Sequence, residues 1–492
     1  MNDEVTVDTS KTIKDPIHGA VKFEGAAELE LKNLLSDPYF QRLRRVKQLG
    51  FSDHVFPSAT HSRFAHSLGV YGVAKRLLSV VEPKGRGDDW SRKGKACLAA
   101  ALLHDVGHGM FSHAFEHAME KFIETHPEVG EQFKDAVNHE KLSRRIVTET
   151  SVARVLKRIG GDGFAEEVAA MIEKQDPDCI YTSIVSSQLD ADRLDYAKRD
   201  PYFAGVSSGG IDLDWLVDHL RVGTRPSGQF FYVDSKAFIS IEKFMVTVFQ
   251  LYPTLYLHHR TRGFEHMFSR LMVRVFELIG EDAPEKAGLS DTHPLVHFFR
   301  EPGNLEHTLV LDDSLFWGSL HLFLAAPDEA VSQLAKRFAE RRSYPRHDVW
   351  RIAEGLAVKH RGYMALSASE RVGVLHNACE AACAALTDDA GIWQDSCHYD
   401  TYPRKLYTER RIEGGHPQQI NVAHGGLIVD IASVSPIVAS AAAFTIHRIY
   451  YDDTVKGLGE RLDDAITERL KVSVAAELER AGMISTPPAD PH

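Results

Sequence analysis

The stretch CLAAALLHDVGHGMFSHAFE, residues 97–116, decides how the chain is read. Its first seven residues are apolar all round, which predicts a helix over 91–104 that is buried on every side rather than lying on a surface. Gly107 and Gly109 then stop the helix. The stop falls where chemically capable side chains crowd together: His104, Asp105, His108, His113 and Glu116. Burying so many titratable groups at the end of an apolar helix is costly unless a metal ion or a substrate compensates them. A histidine followed by aspartate occurs by chance in many chains of this length, so the density of the cluster carries the inference.

Two further segments join it. Phe64, Leu68, Tyr71, Leu78 and Val81 recur at helical spacing and predict an amphipathic helix over 62–81, which carries His66 in HSRFAHSLGV. LDADRLDY at 189–196 places Asp192 on a helix expected over 180–198. A lone His66 reads as a satisfied core histidine. Together with His104, Asp105 and Asp192, it reads as a nitrogen and oxygen ligand set that three separate helices supply to one divalent cation, Fe, Mn, Mg, Zn or Ni, with water completing the shell. Such an ion lowers the pKa of bound water and stabilises charge on a phosphate, so hydrolysis is the expected chemistry.

The rest of the chain reads as mainly α. DPIHG at 15–19 is a turn between short β-favouring pieces, and a helical pattern runs from about 27 to 48, stopped at Leu49 and Gly50. Further helices are expected over 111–125, 139–158, 164–173 and 236–280, with QFFYVD at 229–234 as a short strand. Three or four helical stretches follow REPGN, from 301 to about 386. RKLYTERRI at 404–412 and GGLIVDIASV at 425–434 are β-like, with GGHPQQ between them as a break and a last helix over 458–481 before a frayed tail, TPPADPH. The expected organisation is a core over 1–280, a helical extension over 281–386, and a small α+β C-terminal lobe with a terminal helix over 387–492.

Composition narrows the function classes. With 492 residues, 43% apolar and 26% charged, the chain is long enough for more than one core. The formal charge of −12 argues against a broad grip on nucleic acid, which shows as excess Lys and Arg. Five cysteines without a secreted framework, and a start, MNDEVTVDTSK, lacking the charged-then-apolar signal pattern, fit a reducing cytoplasm. Cys379 and Cys383 sit one helical turn apart and read as buried small residues. The longest apolar tracts fall short of the roughly 20 residues a membrane span needs.

DPIHG (15–19), DPYFQRLRRVKQLG (37–50), VFPSATHSRFAHSLGVYGVA (55–74), LLHDVGHGMFSHAFE (102–116), NHE (138–140) and LDADRLDYAKRD (189–200) follow one another in the order of a known family. The chain resembles the HD-domain superfamily, and within it the deoxynucleoside triphosphate triphosphohydrolases related to the sterile-alpha-motif and HD-domain protein, here of a bacterial type without the sterile-alpha-motif domain. The resemblance implies an HD helical bundle with a small α+β lobe, and a divalent metal ion (Fe, Mn, Mg or Zn) held by His66, His104, Asp105 and Asp192. It places His108, His113, Glu116 and His139 beside the α-phosphate, with His139 or His108 moving a proton to the leaving oxygen. Glu116 stands where relatives often have Asp.

The resemblance further implies that Arg63 and Arg193 meet phosphate oxygens, that Tyr196 and Asp200 hold the sugar, and that Gln48 and Leu49 lie near sugar and base. Read from the residues alone, pairing with a carboxylate is the alternative for Arg63, and a core aromatic with its hydroxyl satisfied is the alternative for Tyr196. Two departures stand out: Phe264-Glu265-His266 replaces a family Tyr-Gln-His, and Ser36, with Asp37 one place later, stands where the activator site has Asp beside Gln41 and Arg44. The expected reaction is hydrolysis of a deoxynucleoside triphosphate (dNTP) to deoxynucleoside and triphosphate, by a homo-oligomer (dimer, tetramer or hexamer) with a possible nucleotide activator. The alternatives are an HD phosphohydrolase acting on another nucleotide or on single-stranded nucleic acid, to which the basic run 404–411 would contribute, and a nucleotide-sensing oligomeric binding protein.

Overall fold

The computed structural model describes residues 10–83, 89–207, 210–389, 396–408, 416–441 and 443–483. Residues 409–412 of the expected strand, the last three residues of the basic run, part of GGHPQQ, the first nine residues and the tail after 483 lie outside the described residues. The chain is mainly α, and the described residues also form three small sheets. The described strands are β1 Lys11–Asp15, β2 Gly19–Phe23, β3 Leu220–Arg225, β4 Gly228–Val233, β5 Arg346–Asp348, β6 Cys397–Arg404, β7 Asn421–His424, β8 Leu427–Asp430 and β9 Phe444–Tyr451. They form the hairpin β1-β2, a sheet of order β3-β4-β7-β8 in which β4 and β7 run parallel, and an antiparallel sheet β5-β9-β6.

The chain folds as two compact units that alternate along the sequence. The first comprises Met1–Tyr256, Phe268–Arg341 and Glu409–Ala439; the second comprises Leu257–Met267, Arg342–Thr408 and Ser440–His492. In the second unit the terminal helix Leu458–Arg480 buries Leu458, Leu462, Ile466, Leu470, Val474 and Leu478, a strict four-residue ladder. Cys379 and Cys383, on the helix Ala368–Thr387, pack as small residues in the same core.

The central helix of the first unit, Arg92–Leu103, is buried as its composition predicts: Cys97 through Leu103 are all at 0% exposure. Ser91 caps it, its hydroxyl accepting from Gly94 N at 3.0 Å. The expected helices over 62–81, 111–125, 164–173 and 458–481 are found as Arg63–Val81, His113–Thr125, Phe164–Ile172 and Leu458–Arg480.

Four long helical stretches are broken, each at a residue with a local reason. The pattern over 27–48 divides into Gly25–Asn33 and Pro38–Arg42 with single turns after each, because Pro38 cannot continue a helix and Asp37 caps Tyr39 N at 3.0 Å. The stretch over 139–158 breaks at Thr150, which caps Ser151–Gly160. The stretch over 180–198 becomes Ile180–Val185 and Ala191–Ala204, and Asp190 caps the second by accepting from Arg193 N at 2.7 Å. The stretch over 236–280 is interrupted at Tyr252–Tyr256, a wide turn containing Pro253, before His259–Gly280. Strand β6 ends at Arg404, where the sequence pattern had begun a strand. Strand β8 is shorter than the β-like tract at 425–434, because Asp430 caps the turn Ile431–Ser433.

The helix Arg63–Val81 packs on Ala191–Ala204, and side chains of the second helix fill the space beside Gly69. A Cβ at Gly69 would lie 1.9 Å from Asp195 Oδ1 and 2.3 Å from Arg199 Nη2. Both side chains are fully buried, so neither yields. Gly69→Ala is expected to destabilise the protein by about 3 kcal/mol through overpacking, seen in urea unfolding as a lower midpoint at unchanged slope.

Candidate active site

Three backbone segments bring the candidate ligands together. His66 lies one turn into Arg63–Val81, at 0% exposure. His104 closes Arg92–Leu103, with its Nδ1 3.0 Å from Ala101 O, and Asp105 follows it. Asp192 lies in the first turn of Ala191–Ala204. Ligand atoms of His66, His104 and Asp105 lie within 4.8 Å of one another. Asp192 Oδ1 adds a carboxylate 3.0 Å from His66 Nε2 and 3.9 Å from His104 Nε2.

These groups fit a divalent cation. Nε2 of His66 and Nε2 of His104 are both buried and make no hydrogen bond, and both face the Asp105 and Asp192 carboxylates. Two imidazole nitrogens and two carboxylates are the donor set of a borderline metal ion such as Fe, Mn or Zn. Burial opposes charge on the His66 ring, but Asp192 and Asp195 outweigh it and raise its pKa to about 10. A proton and a cation therefore compete for Nε2, and ligation requires the neutral ring.

Asp105 is also the partner of Arg63. Burial raises its carboxyl pKa, but Arg63, with Nη1 2.5 Å from Oδ2, and then His104 and His108, pull it well below the usual range. Arg63 Nε donates to Ser112 Oγ at 2.7 Å, and Ser112 Oγ donates to Lys47 O at 2.9 Å. Phe111 and Ser112 have φ of 53° and 61°, a left-handed pair without glycine. The turn is held by Asp313, whose Oδ1 accepts from Phe111 N at 2.7 Å and whose Oδ2 accepts from Lys47 N at 3.0 Å.

A histidine cluster adjoins the ligands. His108 is 2% exposed, with Nε2 3.4 Å from Asp105 Oδ1, and its ring stacks on His139 at 4.0 Å. His113 meets both rings edge-on at 4.9 and 5.3 Å. Glu116 Oε2 lies 2.9 Å from His139 Nδ1 and 3.3 Å from His113 Nδ1. Burial works against the Glu116 carboxylate, yet His113 and His139 keep it well below its usual range. Burial, Arg63 and His139 press His108 toward the neutral form. Gly107 lets the turn meet the helix His139–Glu149: a Cβ there would lie 2.3 Å from His139 O.

The expected substrate residues divide. Arg63 is at the ligands but is engaged by Asp105 and Ser112. Arg193 Nε lies 3.5 Å from Asp190, and Tyr196 packs edge-on against Tyr256. Both Asp200 oxygens meet protein groups, His61 Nε2 at 2.9 Å and Tyr256 OH at 2.7 Å. Gln48 donates its backbone N to His61 O at 3.0 Å and has a buried side-chain oxygen without a hydrogen bond; Leu49 beside it is buried. Asp37 is a helix cap that also accepts from Ser151, and Arg44 donates to Gln41 at 2.9 Å. In the second unit, Glu265 accepts from Arg262 at 2.6 Å and His266 lies 3.6 Å from Asp400.

Sequence reasoning missed Asp195, with His18 and Arg199 around it. Burial would raise the Asp195 carboxyl, but His18, His66 and Arg199 hold it well below the usual range. The signal was present in LDADRLDYAKRD, where Asp195 is three residues after Asp192 and four before Arg199, the spacings that share a helix face.

Comparison with known proteins gives the family. The HD domain family matches residues 63–197, the segment that carries all four candidate ligands. The chain is 35% identical to the uncharacterised protein YwfO of Bacillus subtilis over 341 residues, 68% of this chain and 71% of that one. It is 30% identical to the human deoxynucleoside triphosphate triphosphohydrolase SAMHD1 over 242 residues, 44% of this chain and 37% of that one. A crystal structure of a phosphohydrolase from Bacteroides thetaiotaomicron shares the fold, with a TM-score of 0.66 at 24% identity over 90% of this chain and all of that one. The chain belongs to the HD-domain superfamily and is a phosphohydrolase. No helix among the described residues is long and apolar enough to cross a membrane.

The ligand assignment is checked by metal analysis. His104→Ala is expected to lose the bound metal and keep the fold, read by elemental analysis and circular dichroism; metal at full stoichiometry would remove His104 from the ligand set. Asp105→Ala should also lose metal, but with about 3–5 kcal/mol of destabilisation, because it strips Arg63 of its buried partner.

Proposed function

We propose that the protein is a metal-dependent dNTP triphosphohydrolase. One observation carries the reading: a stacked histidine pair, His108 and His139, backed by Glu116, stands beside the candidate ligand Asp105. A metal ion of the Fe, Mn, Mg or Zn type, held by His66, His104, Asp105 and Asp192, would supply an activated water and stabilise charge on the α-phosphate. Water adds to the α-phosphorus, the bond to the 5′ oxygen breaks, and triphosphate leaves the deoxynucleoside. The 5′ oxygen needs a proton, and the stacked histidines are the donors at hand. A ring that serves as donor must carry a proton on Nε2 as well as on Nδ1; Glu116, at His139 Nδ1, would steady that cation, and the proton lost by the attacking water would replace the one given to the 5′ oxygen.

Arg63 and Arg193 are the proposed phosphate contacts, Tyr196 and Asp200 the sugar contacts, and Gln48 and Leu49 the neighbours of sugar and base. The name of the SAMHD1 relatives supports the substrate class. A second reading, hydrolysis of another phosphate ester at the same site, is favoured by Asp200, whose oxygens are already engaged by His61 and Tyr256. A homo-oligomer and a nucleotide activator belong to the same proposal by resemblance.

Incubation with each deoxynucleoside and ribonucleoside triphosphate, with Mn, Mg or Fe, should release nucleoside and intact triphosphate, resolved by ion exchange. His104→Ala should release neither. No product from any triphosphate, with and without added nucleotides as activators, overturns this reading in favour of the second. Glu116→Gln is expected to retain metal while kcat falls by about 100-fold or more, as loss of an oriented acid–base group does.

A further inference from the structure

Behind His66 lies a second layer of charge with no role in the chemistry above. His66 directs Nε2 toward the ligand carboxylates, and its other ring nitrogen, Nδ1, lies 2.7 Å from Asp195 Oδ2. Asp195 is at 0% exposure. Arg199 donates Nε to Oδ2 at 2.8 Å and Nη2 to Oδ1 at 2.9 Å, and His18 Nε2 lies 2.6 Å from Oδ1. The third Arg199 nitrogen, Nη1, donates to Asp15 Oδ2 at 2.9 Å. Asp15 Oδ1 in turn accepts from Ile17 N and His18 N, each at 2.9 Å. The β1-β2 turn, DPIHG, thus closes on itself and on Asp195 through one aspartate.

We propose that Asp195 is the positioning residue of the metal site, and that the turn 15–19 holds Asp195 in place. The inference rests on the assignment of His66 as a ligand. A neutral imidazole carries one proton, and a carboxylate that can only accept draws that proton to Nδ1. The lone pair then stands on Nε2, facing the cation. The Arg199 fork demands an acceptor at both Asp195 oxygens, which keeps the carboxylate from turning. Gly69 leaves the room for this arrangement: a side chain there would meet the same carboxylate and guanidinium. An outer carboxylate behind a ligating histidine is worth about 10- to 100-fold in metal affinity.

The test uses Mn(II) as the probe, titrated into metal-free full-length protein, with free Mn(II) read by electron paramagnetic resonance. Asp195→Asn is expected to weaken binding about 10- to 100-fold. His18→Ala, which leaves the Asp195–Arg199 pair in place, should weaken it by a smaller factor, and His66→Ala should abolish it. In the Zn(II)-loaded protein, His66 Nδ1–H should give a downfield, slowly exchanging proton signal that is lost in Asp195→Asn, a signature that general destabilisation does not mimic. Wild-type affinity or a retained signal in Asp195→Asn, with binding abolished in His66→Ala, overturns the positioning role and leaves the metal site standing. Undiminished binding in His66→Ala overturns the site assignment instead. If Asp195→Asn does not fold, unchanged affinity in His18→Ala overturns the proposal.

Discussion

The two oxygens of Asp105 face Arg63 at 2.5 Å, His104 at 3.3 Å, His108 at 3.4 Å and His66 at 3.7 Å, in a region the helices close to water. A carboxylate taken out of water loses several kcal/mol of solvation, and only opposed charge and hydrogen bonds restore it. Much of the first unit follows from that requirement. The all-apolar helix ends at His104, the turn after it takes left-handed angles at Phe111 and Ser112, and Ser112 then reaches Arg63. Each feature keeps donors around one buried anion.

The same logic separates the two halves of the site. On one side stand groups suited to a cation: two bare imidazole nitrogens and two carboxylates. On the other side stand groups suited to moving a proton, the rings of His108 and His139 with Glu116 behind them. Asp105 belongs to both, since one of its oxygens lies near the candidate cation ligand His104 and near His108. A metal ion and a general acid arranged around one shared carboxylate, as proposed, would suit a reaction in which negative charge shifts from phosphorus to a leaving oxygen.

The candidate ligands were legible because they sit on strong periodic signals: the apolar run through Leu103 places His104 and Asp105 at its end, and the 62–81 pattern places His66. Asp195 was not legible, although it lies between residues that were. The spacing puts Asp195 on the face that carries Asp192, but nothing in the sequence says that this face meets both nitrogens of His66, or that DPIHG returns to touch it. Helix breaks were missed where a side chain caps the next helix, as Asp190 and Thr150 do, since the apolar pattern runs on across the break. The bland reading of Arg63, a partner for a carboxylate, holds in the structure, and the partner is itself a proposed ligand.

Strand β7, at Asn421–His424, pairs in parallel with β4, at Gly228–Val233, so the first unit draws on chain about 190 residues further along. The material between includes two segments of the second unit. During synthesis the early part of the first unit emerges with one sheet edge still waiting, while the ribosome makes two of the three segments of the interleaved second unit. Pairings so distant in sequence form slowly and leave that edge open to other strands. The order in which this protein leaves the ribosome is therefore at odds with the order in which its pieces meet, and the interval between the two is when it is most exposed to misassembly.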